Sequence, residues 1–366
     1  MAKSRTWVMV EPGKLDAREL EIPKVADDSA LLKMEASGIC GTDKHVFLGH
    51  FPFVKFPFIA GHEFIGTIVE MGPRASENMI VYGGPLKVGD RVAVAPGSAG
   101  CGKCFFCLHV PENPGLCLNR SIVYGFTPLN REHGLWGGYS DYVYLLPRTY
   151  IFKLPADMPM KKAILIEPAA TGARAAQHCF ENSYDVGRSV MILGAGPIGM
   201  MMLMALRFSG AGLIIVQDLF PERLEMARRM GADVLIDGKR PFDERQKQVK
   251  ELTSGMGPDI VIEAAGSPSA FREALDLTRR AGKLIEAGNF TDTGNTEIKP
   301  FNICYQDLNI VGCRYSPLIF ENVITMLQRT PLPIEEVVTH TFPLDEFPKA
   351  LELTGSKDAG KIVITP

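Results

Sequence analysis

A stretch in the middle of the chain, VMILGAGPIG at residues 190–199, joins an apolar run of strand character to a glycine-rich turn. Its glycines have the GxGxxG spacing of dinucleotide-binding βαβ units. Gly194 would permit the tight turn, Gly196 would let backbone N–H groups approach a pyrophosphate, and Gly199 would let the following helix pack closely on the strand. The positive end of that helix would face the phosphates. We therefore predict a dinucleotide-binding βαβ unit that begins at this stretch.

An acidic residue follows the turn where such units bind the adenosine ribose. Asp218 lies nineteen residues after Gly199, at the end of the next apolar run. Its carboxylate would accept both ribose hydroxyls and repel a 2′-phosphate, which favours NAD over NADP, although an arginine such as Arg223 could accommodate the phosphate. The residues that we predict to bind the cofactor are Gly194, Gly196, Pro197, Ile198, Gly199, Asp218, Arg223, Gly266 and Gly288.

The hydrophobic pattern of the first part of the chain differs from that of the part around and after this stretch. Around and after it, short β-branched runs alternate with helical patterns, which is typical of a doubly wound parallel sheet. The first part of the chain instead alternates apolar and polar positions as antiparallel strands do, and residues 361–365 form a last strand-like run. We predict an α/β protein with a β-rich domain at residues 1–168 and 312–366 and an inserted α/β domain at residues 169–311.

Composition excludes several classes of function. The chain has 366 residues, 46% of them hydrophobic and 22% charged, which suits a globular protein of two domains. A net charge of −3 provides no basic surface for nucleic acid or an anionic membrane. The N-terminus lacks the apolar core of a signal peptide, and the longest apolar run is too short to span a bilayer. We therefore expect a cytoplasmic protein that binds neither nucleic acid nor membranes.

Four of the eight cysteines lie close together in CGKCFFCLHVPENPGLC, residues 101–117. Disulfides are disfavoured in a reducing compartment, where clustered cysteines more often bind metal. An iron–sulfur cluster is the alternative, but the ferredoxin pattern needs its fourth cysteine soon after the third and followed by proline. Here Leu118 follows the fourth cysteine. We predict a closed structural zinc site formed by Cys101, Cys104, Cys107 and Cys117.

A second set of metal ligand types lies between residues 38 and 66, in GICGTDKH at 38–45 and GHEFIG at 61–66. Cys40, His62 and Glu63 offer a thiolate, an imidazole and a carboxylate, the three ligand types that zinc takes in proteins. A catalytic zinc uses three protein ligands and keeps one position open. We therefore predict a catalytic zinc site here.

Together these motifs resemble the zinc-dependent medium-chain dehydrogenases/reductases, of the sorbitol and threonine dehydrogenase type. The resemblance extends over essentially the whole chain and implies a GroES-like catalytic domain with an inserted Rossmann domain. It implies that Cys40 and His62 bind the catalytic zinc. The third ligand would be Glu63, next to the histidine, or Glu167, in front of Pro168, and the sequence leaves both open.

The resemblance also assigns roles in proton transfer. Zinc would act as a Lewis acid on an alcohol oxygen. Thr42 stands two residues after the thiolate, so its hydroxyl could take the proton, and the resemblance implies that the proton leaves through the nicotinamide ribose and His45. It also implies that Asp43 holds the ring of His62 in position.

The substrate is less closely defined than the chemistry. Arg314 and Tyr315 resemble the Arg-Tyr pair that lies near the polyol in sorbitol dehydrogenases, although Arg314 could equally form an interdomain salt bridge. We predict that the chain oxidises a polyol or sugar alcohol to a ketone with NAD. The alternatives are a threonine-type dehydrogenase, a reductase of hydrophobic ketones suggested by the phenylalanines of residues 47–58, and a non-catalytic nucleotide-binding relative. The resemblance further implies a dimer or tetramer, with a homotetramer as our expectation.

Overall fold

The computed structural model describes residues 2–131, 133–181, 185–289 and 291–366. The chain divides into two compact units. Unit 1 is formed by Met1–Glu167, Ser316–Gln328 and Val338–Pro366, and unit 2 by Pro168–Tyr315 and Arg329–Val337. The domain boundaries expected from the sequence, at 168/169 and 311/312, stay a prediction.

Within the described residues the elements have the following bounds. The strands are β1 (Lys3–Glu11), β2 (Lys14–Glu21), β3 (Ala30–Ile39), β4 (Phe58–Ile59), β5 (Glu63–Met71), β6 (Ile80–Tyr82), β7 (Arg91–Val94), β8 (Tyr142–Leu145), β9 (Tyr150–Lys153), β10 (Ser189–Leu193), β11 (Leu213–Asp218), β12 (Val234–Asp237), β13 (Ile260–Glu263), β14 (Lys283–Glu286), β15 (Asn309–Gly312), β16 (Val338–Pro343) and β17 (Lys361–Thr365). The α-helices are α1 (Gly41–Phe47), α2 (Ala75–Asn78), α3 (Phe105–His109), α4 (Met160–Ala163), α5 (Ile166–Cys179), α6 (Pro197–Ser209), α7 (Pro221–Arg229), α8 (Phe242–Leu252), α9 (Pro268–Leu277), α10 (Pro300–Tyr305), α11 (Phe320–Arg329) and α12 (Phe347–Leu353).

Unit 1 is mostly antiparallel sheet. Strands β16-β17-β3-β5-β7-β9-β6 follow one another across its main sheet, β8 also pairs with β3, and a smaller sheet has the order β2-β1-β4. Strand β3 lies inside this sheet and pairs antiparallel with β17 on one side and with β5 on the other. Trp136, Phe58 and Phe347 are among the large side chains fully buried in its core. The segments that follow β3 and lead into β5 carry the thiolate–imidazole–carboxylate set of Cys40, His62 and Glu63.

Unit 2 contains a six-stranded parallel sheet of order β12-β11-β10-β13-β14-β15. Numbered within the unit, this is the order 3-2-1-4-5-6 of the doubly wound dinucleotide-binding fold. The order reverses between β10 and β13, and ligands of such sheets bind beyond the carboxyl ends of the strands at this point.

The glycine-rich turn folds as its sequence requires. Gly194 follows β10 with φ +103°, and an added Cβ there would lie 2.6 Å from the backbone nitrogen of Ala265. Pro197 begins α6 directly after the turn, and Gly210 ends it in the left-handed conformation at φ +88°. The apolar side chains of β10 and of most of α6 are buried, so the sheet and the helix share one core.

None of the helices in the described ranges combines the length and the apolar character that a bilayer crossing requires.

Candidate metal centres and cofactor site

The thiol of Cys40 is held at the start of a short helix. Cys40 immediately precedes α1, and its backbone N–H donates a 2.9 Å hydrogen bond to Oδ2 of Asp43. This cap satisfies one of the free backbone donors at the helix start. It also holds Thr42 near the thiol, with its Oγ1 3.5 Å from Sγ of Cys40. The start of α1 therefore positions three of the predicted site residues, Cys40, Thr42 and Asp43.

The ring of His62 lies beside the carboxylate of Asp43. Nδ1 of His62 lies 3.3 Å from Oδ1 of Asp43, whose Oδ2 accepts a 2.7 Å hydrogen bond from Oη of Tyr139. Burial by itself would raise the pKa of Asp43, but His62, Tyr139 and the N–H of Cys40 together hold that pKa below its usual value. Because Nδ1 faces Asp43, the other ring nitrogen of His62 is left for a metal ion. Tyr139 was not anticipated from the sequence.

Glu63 forms an ion pair that the sequence did not predict. Both of its carboxylate oxygens accept hydrogen bonds from Nζ of Lys361, at 2.7 and 2.6 Å, and the two side chains are 0% and 2% exposed. Burial by itself would lower the pKa of Lys361, but the nearby carboxylate raises it. Nζ also donates to the carbonyl of Ile39 at 3.2 Å. The only sequence signal was a lysine at the start of an otherwise apolar terminal strand.

Strand register creates this pair. Gly38 of β3 lies opposite Glu63 of β5, and the neighbouring Ile39 lies opposite Ile362 of β17. An added Cβ at Gly38 would stand 2.3 Å from Oε2 of Glu63. The absence of a side chain at residue 38 therefore leaves the space in which the carboxylate meets Lys361.

The donor set fits a metal ion. One ligand atom each of Cys40, His62 and Glu63 lies within 4.8 Å of the other two, and thiolate, imidazole and carboxylate are zinc ligands. Glu167, at the start of α5, is a neighbour of this group. Its burial, together with the charge of Glu63, raises the pKa of Glu167 to about 7 against the opposing effects of His62 and Lys361.

The second group contains the four clustered cysteines. The Sγ atoms of Cys101, Cys104, Cys107 and Cys117 lie within 4.8 Å of one another. All four are free thiols, and Sγ of Cys117 accepts hydrogen bonds from the N–H groups of Cys101 and Asn119, at 3.1 and 3.3 Å. Hydrogen bonds from Asn119 and from the N–H of Lys103 lower the pKa of Cys101 to about 6. Four thiols with donors on sulfur fit a closed Cys₄ zinc site.

Unit 2 brings the predicted nucleotide-binding residues to one end of its sheet. Asp218 ends β11, where its Oδ2 accepts a 2.7 Å hydrogen bond from the N–H of Ala195 in the glycine-rich turn and its Oδ1 a 2.9 Å bond from the N–H of Phe220. Nη1 of Arg223 lies 4.0 Å from the same carboxylate. An added Cβ at Gly196 would meet no described heavy atom within 4 Å. Packing within the protein therefore does not require glycine at residue 196, whereas a cofactor that approaches the backbone closely would require it.

Gly266 and Gly288 meet at the ends of the next two strands. An added Cβ at Gly288 would lie 2.4 Å from the N of Gly266 and 2.4 Å from Oε2 of Glu263. Oε1 of Glu263 accepts from the N–H groups of Ala265 and Gly266, both at 2.9 Å. The carboxyl group therefore organises the loop that contains Gly266.

A second glutamate is coupled to the first. Glu263 lies opposite Glu286 in the parallel pairing, and Nδ2 of Asn289 donates to both carboxyl groups, at 3.2 and 3.1 Å. Burial, and then repulsion from Glu286, raise the pKa of Glu263 to about 8. The sequence did not predict a role for these residues, because the pattern around each glutamate indicates only the end of a strand.

This pair predicts a stability that depends on pH. Above the ordinary pKa of 4.5 the unfolded chain releases the proton, whereas folded Glu263 keeps it up to about pH 8. The free energy of unfolding should therefore fall as pH rises across this window, by at most about 1.4 kcal/mol per pH unit. Replacing Glu286 by glutamine should make the slope shallower in urea unfolding at pH 6, 7 and 8, because it removes the repulsion. Glu251→Gln, an exposed glutamate of α8, is the control; equal slopes in the two variants would contradict the coupling.

Arg314 and Tyr315 follow β15, are half-buried and belong to unit 2, whereas the predicted metal ligands belong to unit 1.

The phenylalanines of residues 47–58 differ in burial: Phe58 is buried in the core and Phe53 is 85% exposed. The ring of Phe51 lies 6.1 Å from that of Phe126, which lies 5.1 Å from that of His62. Part of this aromatic run is therefore buried in the core, and Phe51 contacts a ring that lies beside His62.

A doubly wound sheet with a dinucleotide-binding turn, together with a thiolate–imidazole–carboxylate group and a Cys₄ group, defines a zinc-binding, nucleotide-dependent oxidoreductase. Comparison with known proteins agrees. Residues 26–156 match the family described as alcohol dehydrogenase GroES-like domain, and residues 197–329 the family described as zinc-binding dehydrogenase.

Individual relatives cover nearly the whole chain. Sorbitol dehydrogenase of Bacillus subtilis is 31% identical, over 98% of this chain and 96% of the relative. The crystal structure of an alcohol dehydrogenase from Thermotoga maritima superposes with a TM-score of 0.91 at 30% identity, with all of both chains covered. An alcohol dehydrogenase of Escherichia coli crystallised with NADH gives a TM-score of 0.83 at 28% identity, again over all of both chains.

The chain belongs to the zinc-dependent alcohol dehydrogenases of the medium-chain dehydrogenase/reductase family. The predicted fold class, with a GroES-like and a Rossmann part, is confirmed. The predicted activity class, an NAD-dependent alcohol dehydrogenase, and the predicted cofactors zinc and NAD are confirmed as well.

Proposed function

We propose that the chain oxidises the secondary hydroxyl of a polyol or sugar alcohol to a ketone with NAD. The observation that carries this proposal is the group of Cys40, His62 and Glu63, in which Asp43 orients the imidazole and Thr42 lies beside the thiol. When bound, zinc would supply Lewis-acid polarisation of the alcohol oxygen and NAD the hydride acceptor.

The residues of the chain would bind, orient and move a proton. Asp43 holds one ring nitrogen of His62, so that the ring presents the other to the metal. The hydroxyl of Thr42 would accept the proton of the substrate hydroxyl, and His45 would pass it towards solvent, since histidine titrates in the appropriate range. In unit 2, Gly194, Gly196 and Gly199 would bind the pyrophosphate, with Pro197 and Ile198 at the same helix start.

We further propose two zinc ions per chain, one for each group of ligand atoms. Glu63 would be the third ligand of the catalytic ion in the arrangement described, and Glu167 the carboxylate that exchanges with it. Residues 1–168 and 312–366 would form the zinc-binding domain and residues 169–311 the NAD-binding domain. The eight free cysteines support a cytoplasmic location, where thiols stay reduced.

Arg314 and Tyr315, with the likeness to a sorbitol dehydrogenase, support a hydroxyl-rich substrate. A second candidate is a hydrophobic secondary alcohol, which the rings of Phe51 and Phe126 near His62 favour. The test is NADH absorbance with a panel of sugar alcohols, threonine and aliphatic secondary alcohols, with and without a zinc chelator. We expect the highest kcat/KM for a sugar alcohol and loss of activity with the chelator. A preference for aliphatic alcohols would favour the second candidate, and chelator-resistant turnover would contradict the catalytic zinc.

The predicted role of Asp218 is tested by Asp218→Asn. Asparagine keeps one side-chain oxygen, which can accept from the N–H of Ala195 or of Phe220, and removes the charge that would repel a 2′-phosphate. We expect the ratio of kcat/KM for NADP to that for NAD to rise about tenfold, which corresponds to about 1.4 kcal/mol. Asp237→Asn, at the exposed end of β12, is the matched control. An unchanged ratio in the Asp218 variant would contradict ribose binding.

We also propose a homo-oligomer, a dimer or a tetramer. Strand β15 lies at the edge of the unit 2 sheet, and edge strands tend to pair with other chains. The preceding helix α10 exposes two stacked aromatic rings, Phe301 at 67% and Tyr305 at 62% exposure. Light scattering after size-exclusion chromatography measures the mass, and a monomer at micromolar concentration would contradict the proposal.

A further inference from the structure

His45 has a second histidine beside it. Nδ1 of His45 lies 3.1 Å from Nδ1 of His50, and the two ring centroids are 5.4 Å apart. His45 is half-buried, whereas His50 is exposed. The separation of the two nitrogens is that of a hydrogen bond, in which one ring donates and the other accepts.

The backbone holds the two rings together. Helix α1 ends at Phe47, and Gly49 takes φ +83°, so the chain turns back along the last turn of the helix. The N–H of His50 then donates a 2.8 Å hydrogen bond to the carbonyl of His45. The contact between the rings therefore follows from a fixed helix end rather than from two freely rotating surface side chains.

The pair can hold only one extra proton while this hydrogen bond exists, because two protonated rings would direct N–H groups at each other. Partial burial, and then the charges of His50 and Lys44, lower the pKa of His45. These are the titratable groups that act on His45, and the ammonium group of Lys44 is itself held by the carbonyls of Glu352 and Thr354. Partial burial and these charges therefore disfavour a proton that stays on His45.

We propose that His50 is a positioning residue of a two-histidine path by which the proton of the substrate hydroxyl leaves the protein. His45 receives one proton at Nε2, its Nδ1 proton passes to Nδ1 of His50, and His50 releases its Nε2 proton to water. One proton enters and one leaves, and no electron is transferred. This inference rests on the proposed function and adds to it a residue that acts through His45.

The first test needs neither zinc nor NAD turnover. Histidine NMR titrations of the wild-type chain and His50→Gln should show the pKa of His45 rise in the variant, because the charge that lowers it is removed. His340→Gln removes another histidine, on β16 and bonded to Thr339, and should leave His45 unchanged. An identical titration of His45 in the wild type and in His50→Gln would overturn the coupling and with it the path.

The second test measures proton transfer during alcohol oxidation. In His50→Gln we expect kcat at pH 6–7 to fall by about threefold or more, less than the roughly 10²–10⁴-fold of a direct acid–base group, with KM unchanged. Added imidazole should restore kcat, and the deficit should disappear at high pH, where hydroxide accepts the proton. A merely structural defect would not respond to imidazole.

The outcomes separate this inference from the function on which it rests. A wild-type chain that oxidises no alcohol refutes the proposed function and the path together. Wild-type turnover, with His50→Gln equal to wild type at every pH, overturns the path alone. Loss of activity in His50→Gln that imidazole does not restore also overturns it, because the residue would then act through the fold.

Discussion

Replacement of Lys361 by methionine is expected to lower the free energy of unfolding by about 3–5 kcal/mol, the cost of leaving a buried charge without its partner. Glu63 is fully buried, and Lys361 supplies hydrogen bonds to both of its oxygens. The pKa of Lys361 is raised above its ordinary value of 10.5, so the contribution of its charge is present at neutral pH and is lost only as pH rises through the folded-state pKa. Urea unfolding at pH 7 therefore measures the whole effect.

Two controls make this prediction specific. The double variant Lys361→Met/Glu63→Gln should recover more than half of the loss, because no isolated charge remains. Lys3→Met removes the lysine of an exposed pair with Glu19, whose side chains are 56% and 60% exposed, and should cost less than about 1 kcal/mol. Zinc content measured in the same samples separates loss of metal from loss of the ion pair. A Lys361 variant as stable as wild type would contradict the account of the pair.

Replacement of Cys40 by serine is expected to lower kcat/KM by about 10³-fold or more, as loss of several kcal/mol of Lewis-acid stabilisation implies. Zinc should fall from two ions per chain to one, because the Cys₄ group is intact. The dissociation constant of NADH, measured by fluorescence, should stay within about twofold of the wild-type value, because the substitution removes none of the proposed contacts to NADH and so leaves its binding free energy unchanged. The residues proposed to bind NADH all lie in unit 2.

The matched control for this variant is Cys304→Ser. Cys304 is exposed in α10, so the same chemical change there should alter neither activity nor zinc content. Full activity in Cys40→Ser would refute the catalytic zinc site. Loss of NADH binding together with activity would indicate a general folding defect instead, and circular dichroism of the two variants would detect it.

The fold class and the ligand types could be predicted because their signals are local. The signals for the strand end, the glycine-rich turn and the helix start are adjacent in the chain, and in the structure β10 ends at Leu193 and α6 begins at Pro197. The four clustered cysteines are close in the chain, so their spacing alone brings the thiols together. Helix α1 was not predicted, because it is only seven residues long and its capping box uses Cys40 and Asp43 instead of the usual Ser or Thr and Glu or Gln.

The sequence by itself determined which groups could bind zinc and NAD, since Cys40, His62, the glycine-rich turn and the four cysteines carry that chemistry in their types and spacing. Only the tertiary structure decided their partners. Lys361 reaches Glu63 across 298 positions, and Tyr139 reaches Asp43 across 96. Strand register makes these contacts, because it selects which side chains from distant segments face each other. Burial then makes the contacts strong, because a charge removed from water must find its partner inside the protein.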